Sequence, residues 1–183
     1  MKTEKEKMIS GLPYDPGDPQ LTEERRRAQS ICFELRSLNP KESERKAQLL
    51  NQLFGKPVTV TVTQPFFCDY GYNIEFGENV YFNFNCVVLD IAPIKIGNNV
   101  LFGPGVHIYS VTHPLSPEER ITFLESGKPV NIEDDVWVGG GAIICPGVTI
   151  GKGAVIGAGS VVVKDIPARV LAVGNPCKVL REI

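Results

Sequence analysis

Apolar residues recur with two different periods along this chain of 183 residues. Before Lys56 the steps are three and four. Ala28, Ile31, Leu35 and Leu38 form one apolar face of a helix. Thr22 is its expected cap, with Glu23 and Glu24 in the first turn, near the positive end of the helix dipole. Asn39-Pro40-Lys41-Glu42 predicts a second helix: a cap, a proline at the first helical position and a Glu at N3. That helix should run to about Phe54 and stop at Gly55. The Gly- and Pro-punctuated run from Gly11 to Leu21 reads as loop.

After Pro57 the period becomes six. Ile132, Val138, Ile144, Ile150, Ile156 and Val162 keep one phase, and Val136, Ala142, Val148, Ala154 and Ser160 follow four places after the first five. Glycine comes directly after the aliphatic member at Gly139, Gly151 and Gly157. Upstream, the phase recovers Tyr70, Phe76, Phe82 and Val88, and after a two-residue slip Ile96, Phe102 and Ile108. A six-residue repeat signals a parallel β-helix, in which three short walls return the chain above its start and inward residues stack on their counterparts in the next coil. A β-sandwich, with turns every 8–12 residues, would not hold this phase. The chain thus divides into a helical capping segment, 1–56, and a mainly β solenoid, 57–183.

The repeat lapses over 109–131, a stretch holding Pro114, Pro117, Pro129 and several charged residues, which reads as a loop thrown out of the solenoid. Loops this long in a compact fold are usually functional, and solenoid insertions gather on the binding face. One of the chain's two histidines, His113, lies in it, and Glu118, Glu119 and Glu125 follow. An imidazole is suited to exchanging protons near neutral pH. His107 falls at a corner of its hexad and reads as structural or solvent-facing.

Composition narrows the function. A net charge of -2 supplies no basic excess for nucleic acid, and Arg25, Arg26 and Arg27 sit among acidic neighbours. No apolar run approaches the roughly 20 residues of a membrane span, and the first ten residues lack the core of a secretory signal. Five scattered cysteines without a C-x-x-C pair suit reduced thiols in the cytoplasm, and with two histidines no metal requirement is expected.

Several stretches carry a more specific likeness: Phe67-Cys68-Asp69-Tyr70-Gly71-Tyr72-Asn73-Ile74, Asn83-Phe84-Asn85-Cys86 with Leu89-Asp90, Pro104-Gly105-Val106-His107-Ile108-Tyr109, and Thr112-His113-Pro114. With Val136-Trp137-Val138-Gly139-Gly140, Gly157-Ala158-Gly159-Ser160 and Gly174-Asn175-Pro176, the chain resembles the maltose and galactoside O-acetyltransferases over its whole length. The resemblance implies a left-handed parallel β-helix, a homotrimer with active sites between subunits, and acetyl-CoA as co-substrate. It implies His113 as catalytic base and an acceptor pocket from Asp15, Arg25, Asp69 and Asn83, with Asp90 in the same motif. It also implies a coenzyme A site along Gly140, Ala158, Val163, Lys164, Lys178 and Arg181. Asp69 and Ile91 follow the maltose branch, since the galactoside branch has Ser and Asp there; Gly140 stands where that branch has a serine.

The expected chemistry is direct transfer: His113 takes the proton of a sugar hydroxyl, maltose or glucose, as the oxygen attacks the thioester. A backbone N–H near Gly140 is the expected oxyanion donor. Glu125 or a loop carbonyl would orient the imidazole. Other hydroxyl acceptors (an antibiotic, a serine, an amino sugar) and a non-catalytic β-helix scaffold are the alternatives. A β-helix hydratase needs three histidine ligands, and a sugar nucleotidyltransferase needs a nucleotide-binding domain for which the chain lacks room.

Overall fold

The computed structural model describes residues 2–183. Three helices lead into the solenoid: α1 (Glu4–Ile9), α2 (Pro19–Ser37) and α3 (Ser43–Phe54). α1 was not anticipated, although its signal is local. Thr3 and Glu6 form a reciprocal capping box, and Met8 is its one buried side chain. α2 is capped four residues before the expected Thr22. Asp18 caps it by accepting the Leu21 N–H at 3.1 Å, and Pro19, which has no N–H to satisfy, opens the first turn. Its buried face is Leu21, Ala28, Cys32 and Leu35, with Ile31 and Leu38 only partly covered.

α3 also starts later than the sequence pattern suggests. The Asn39 side chain accepts the Lys41 N–H, and Glu42 reaches back to the Asn39 N–H, so the expected cap is spent on a turn and the helix opens at Ser43. Gly55 ends it in the left-handed region, at φ 69°.

The solenoid is a left-handed parallel β-helix. Its walls are sheets of seven, five and four strands, parallel except where Lys178–Glu182 folds back antiparallel on Val170–Val173. Pairing registers stack like on like. Val62, Phe82, Phe102, Val138, Ile156 and Ala172 form one inward column; Cys68, Val88, Ile108, Ile144 and Val162 a second; Phe76, Ile96, Ile132 and Ile150 a third. All are buried except Phe76, which is partly covered. Each fully buried aliphatic contributes about 1.5–3 kcal/mol relative to exposure, so the stacked columns are the main source of solenoid stability.

Two expectations change with this register. Tyr70 does not belong to an inward column: Cys68 takes that place, and Tyr70 packs with Met8, Tyr14, Leu21 and Ile91 in a separate cluster under the N-terminal segment. His107 lies within strand His107–Tyr109 rather than at a corner, half-buried, with Nδ1 paired to the Tyr109 hydroxyl.

The first coils are wide and filled by aromatic rings. Phe82 stacks on Phe102 at 4.3 Å, and Phe66 meets Phe82 edge-on. The Phe54 ring, from the last turn of α3, lies 4.7 Å from Phe76 and 6.2 Å from Phe66, covering the open end of the aromatic stack. Phe54→Ala should therefore cost about 3–5 kcal/mol. Urea unfolding at fixed protein concentration checks this, and a loss under about 1 kcal/mol would mean that the ring does not hold the solenoid end.

Candidate active site

A regular turn of this solenoid advances six residues between the second and third inward columns, as from Ile144 to Ile150. In the first three coils the same corner is wider. Eight residues separate Cys68 from Phe76 and Val88 from Ile96, and twenty-four separate Ile108 from Ile132. All surplus chain therefore leaves the solenoid at one corner, in three coils stacked on one another.

Buried polar groups join these wide corners. Asp90, fully buried, accepts the N–H groups of Asp69 at 3.1 Å, Tyr70 at 2.9 Å and Asn73 at 3.3 Å from the coil before it. Ser110, equally buried, donates to the Leu89 carbonyl at 2.8 Å and accepts the Ala92 N–H at 2.9 Å. Gly71 has φ 82°, and a Cβ there would lie 2.5 Å from the Leu53 carbonyl oxygen, so only glycine lets the first wide corner pass the end of α3. From α2, Arg27 donates to the Tyr70 carbonyl at 3.0 Å, tying helix to corner.

The third excursion is an ordered hairpin rather than an open loop. Val111–Thr112 pairs antiparallel with Ser126–Gly127, and the tip carries a short helix, α4 (Pro117–Arg120). Because Thr112 faces Ser126, the next residues outward, His113 and Glu125, face each other. His113 Nε2 lies 3.9 Å from Glu125 Oε1, beyond a hydrogen bond but close enough for an ion pair when the imidazole is charged.

Between this hairpin, α2 and the wide corners lies a cavity of about 340 Å³, lined by Tyr14, Pro16, Arg25, Gln29, Asp69, Tyr70, Leu89, Ile91, Val111, His113 and Glu125. Arg25 donates to the Tyr70 hydroxyl at 2.7 Å and to the Pro16 carbonyl, which points its guanidinium along the wall. Asp69 is pushed up to about 6, mainly by burial and then by the Glu125 charge, against the opposing pull of Arg25. Asp90 rises to about 7, chiefly because burial penalises its charge more than its backbone donors favour it.

Of the residues singled out from sequence, Arg25, Asp69, His113 and Glu125 meet in this cavity. Asp90 stands behind the wall, its carboxylate occupied by backbone donors. Asp15 is exposed beside the rim, Oδ1 accepting the Gly17 N–H at 2.7 Å. Asn83 lies on a different edge of the prism, in the position that Gly103, Gly139 and Gly157 occupy in later coils. One residue further along that edge, Gly140 and Ala158 stack in one ridge, with the Gly159 N–H donating to the Gly140 carbonyl at 2.9 Å. Val163 and Lys164 are exposed after strand Val161–Val162, on the corner that bears the cavity but further along the axis. Lys178 and Arg181 are exposed on the antiparallel edge strand. Sequence reading missed Tyr14, Gln29, Tyr70 and Ile91 as cavity walls. The slip before Ile96 pointed to the second wide corner, whereas the first shows only in the pairing of Cys68 with Val88.

The fold is that of the hexapeptide-repeat transferases, and the comparisons with known proteins give the class. Residues 7–57 match the maltose acetyltransferase hexapeptide capping motif, and residues 129–164 the six-repeat bacterial transferase hexapeptide. The chain is similar to a maltose O-acetyltransferase from Clostridium difficile 630, with 47% identity, a TM-score of 0.96, and coverage of 100% of this chain and 98% of that one. It is also similar to a galactoside acetyltransferase in complex with coenzyme A, with 37% identity, TM-score 0.92, and coverage of 100% and 92%. A hexapeptide-repeat acetyltransferase from Vibrio cholerae complexed with acetyl coenzyme A shares 35% identity, TM-score 0.87, with coverage of 99% and 98%. The chain belongs to the maltose/galactoside O-acetyltransferase family and is an acetyltransferase. Among the described residues no helix is long and apolar enough to cross a membrane.

A carboxyl whose folded pKa lies above its unfolded value near 3.9 holds its proton more tightly in the folded protein. Its contribution to stability is then full below about pH 4 and falls away as pH rises through about 6. Asp69→Asn should be more stable than the parent at pH 7.5 by about 1–2 kcal/mol, after allowance for solvent at the cavity mouth, and lose that advantage by pH 4. Urea midpoints at the two pH values test this; a difference independent of pH would refute the burial account of Asp69.

Proposed function

We propose that this protein transfers the acetyl group of acetyl-CoA to a hydroxyl of a sugar such as maltose or glucose, with His113 as general base. The observation that carries the reading is the facing pair His113–Glu125 at the mouth of a polar cavity. Arg25 and Asp69, which donate to and accept from hydroxyl groups, stand in the same walls.

His113 takes the proton of the acceptor hydroxyl as its oxygen attacks the thioester carbon. The charged imidazole then gives that proton to the departing thiolate, so one side chain serves both halves of the reaction. Glu125 faces the imidazole and stabilises the charge that it carries between the two transfers. A thiol nucleophile on the chain is disfavoured at Cys86, whose thiol burial pushes up to about 11, leaving it protonated at neutral pH.

Residues for the co-substrate fit an extended, phosphate-bearing molecule. A Cβ built on Gly141 or Gly159 meets nothing within 4 Å, so the ridge beside Gly140 and Ala158 is open on its outer side. Val163 offers an exposed apolar surface, and Lys164, Lys178 and Arg181 offer cations for phosphates. Within one chain, the ridge with Asn83 lies on a different prism edge from the His113 cavity. A homotrimer would set the ridge of one subunit against the cavity of the next and bring Asn83 to the acceptor. Asp15, at the rim, would close the acceptor pocket, and Asp90 would support it from behind. The wide spacing of the five cysteines suits reduced thiols and the cytoplasm as compartment.

The test is thiol release from acetyl-CoA in the presence of maltose, glucose or a non-sugar hydroxyl panel. General-base catalysis contributes about 10²–10⁴-fold, so His113→Ala should lower kcat at least about a hundredfold with little change in acetyl-CoA affinity. A loss below about tenfold would remove His113 as the base, and release with only non-sugar acceptors would replace the sugar.

A further inference from the structure

We infer that Tyr14 is a positioning residue for this reaction: its phenol, reaching across from the N-terminal segment, holds the Glu125 carboxylate in place against His113. The inference rests on His113 as the base. Three observations carry it. Tyr14 and Glu125 form an isolated antiparallel bridge, each N–H donating to the other's carbonyl, at 3.0 and 3.1 Å. The Tyr14 hydroxyl also donates to Glu125 Oε2 at 2.6 Å, which leaves Oε1 as the oxygen facing His113 Nε2 at 3.9 Å. Finally, the phenol is 1% exposed although it stands in the cavity wall, so its hydroxyl is not free to turn to solvent.

A buried tyrosine of this kind can be no more than a packing residue, and that reading is met by the contact of Gly11 with the hairpin. A Cβ at Gly11 would lie 3.0 Å from the Gly127 carbonyl oxygen, so the two segments already touch without help from the phenol. What packing does not require is the hydrogen bond to the carboxylate. Burial and the neighbouring Glu125 charge hold the phenol far above its ordinary pKa, so it stays a donor at every working pH. The donor in turn fixes which way the carboxylate points, a task that the half-exposed hairpin cannot perform through its short two-residue ladder. The N-terminal segment thereby reaches Glu125, 111 residues away in sequence, and through it the base.

Tyr14→Phe keeps the ring and the backbone bridge and removes only the hydroxyl. Loss of a hydrogen bond to a charged group predicts about a tenfold fall in kcat, with KM for acetyl-CoA unchanged within about twofold. Because the phenol acts through Glu125, the same substitution added to Glu125→Gln should cost less than about twofold. Glu125→Gln alone should reproduce the roughly tenfold loss, which keeps the test open if Tyr14→Phe lowers the melting temperature. A Tyr14→Phe enzyme within twofold of the parent overturns the inference, as does an equal loss in both backgrounds or a Glu125→Gln enzyme as fast as the parent. His113→Ala run alongside separates the levels. If it is inactive while Tyr14→Phe is fully active, only the role of Tyr14 falls; if it is fully active, the base assignment falls and this inference with it.

Discussion

A coil can stack on its predecessor only if both put the same residues at the same corners. That demand of register governs everything else in this molecule. It forces the inward columns to repeat in size from turn to turn, and it forbids surplus chain from being absorbed within a wall. Surplus residues must leave at a corner. Here they leave at one corner in three consecutive coils, between Cys68 and Phe76, between Val88 and Ile96, and between Ile108 and Ile132. Three excursions superimposed on one edge make walls, and walls with a helix laid across them make a cavity. Asp90 and Ser110 supply the buried hydrogen bonds that keep these irregular turns in step where the hexad cannot.

The repeat was legible because burial acts on a fixed period: Ile132, Val138, Ile144 and their successors are all inward, as their spacing says. The hairpin was legible as an interruption of the aliphatic hexads, whereas a role for His113 was suggested only by the family resemblance. What failed did so for stated physical reasons. Tyr70 has the aromatic character of the early inward positions, and only the pairing of Cys68 with Val88 shows that the widening had already begun one coil earlier. Thr22 and Asp18 both suit a helix cap, and the proline after Asp18 decided between them. Asn39 and Glu42 resembled a capping pair but closed a turn on each other. No local pattern places Tyr14 opposite Glu125, because a contact across 111 residues leaves no periodic trace.

The charges in the cavity follow from the same crowding. Asp69 and Glu125 approach each other because the first and third excursions share a wall, and Arg25 enters between helix and corner to meet them. Two carboxylates against one guanidinium is a costly arrangement in a partly buried wall. The folded state therefore carries an electrostatic cost at neutral pH.

A solenoid built only from nearest-neighbour contacts has no preferred place for chemistry, because every turn is as firm as the next. This chain breaks that equivalence at its N-terminal end. There α2 and α3 lie over the first coils, Phe54 seats among their rings, and Arg27 and Tyr14 bind helix and lead segment to the excursions. These contacts span long stretches of sequence, so the cavity opens only if helices, corners and hairpin separate together. The regular coils beyond Ile132 bear none of that burden. They present instead a plain ridge of glycine and alanine, open on its outer side. Irregularity at one end and regularity at the other thus give one chain both an enclosed polar cavity and an open straight edge.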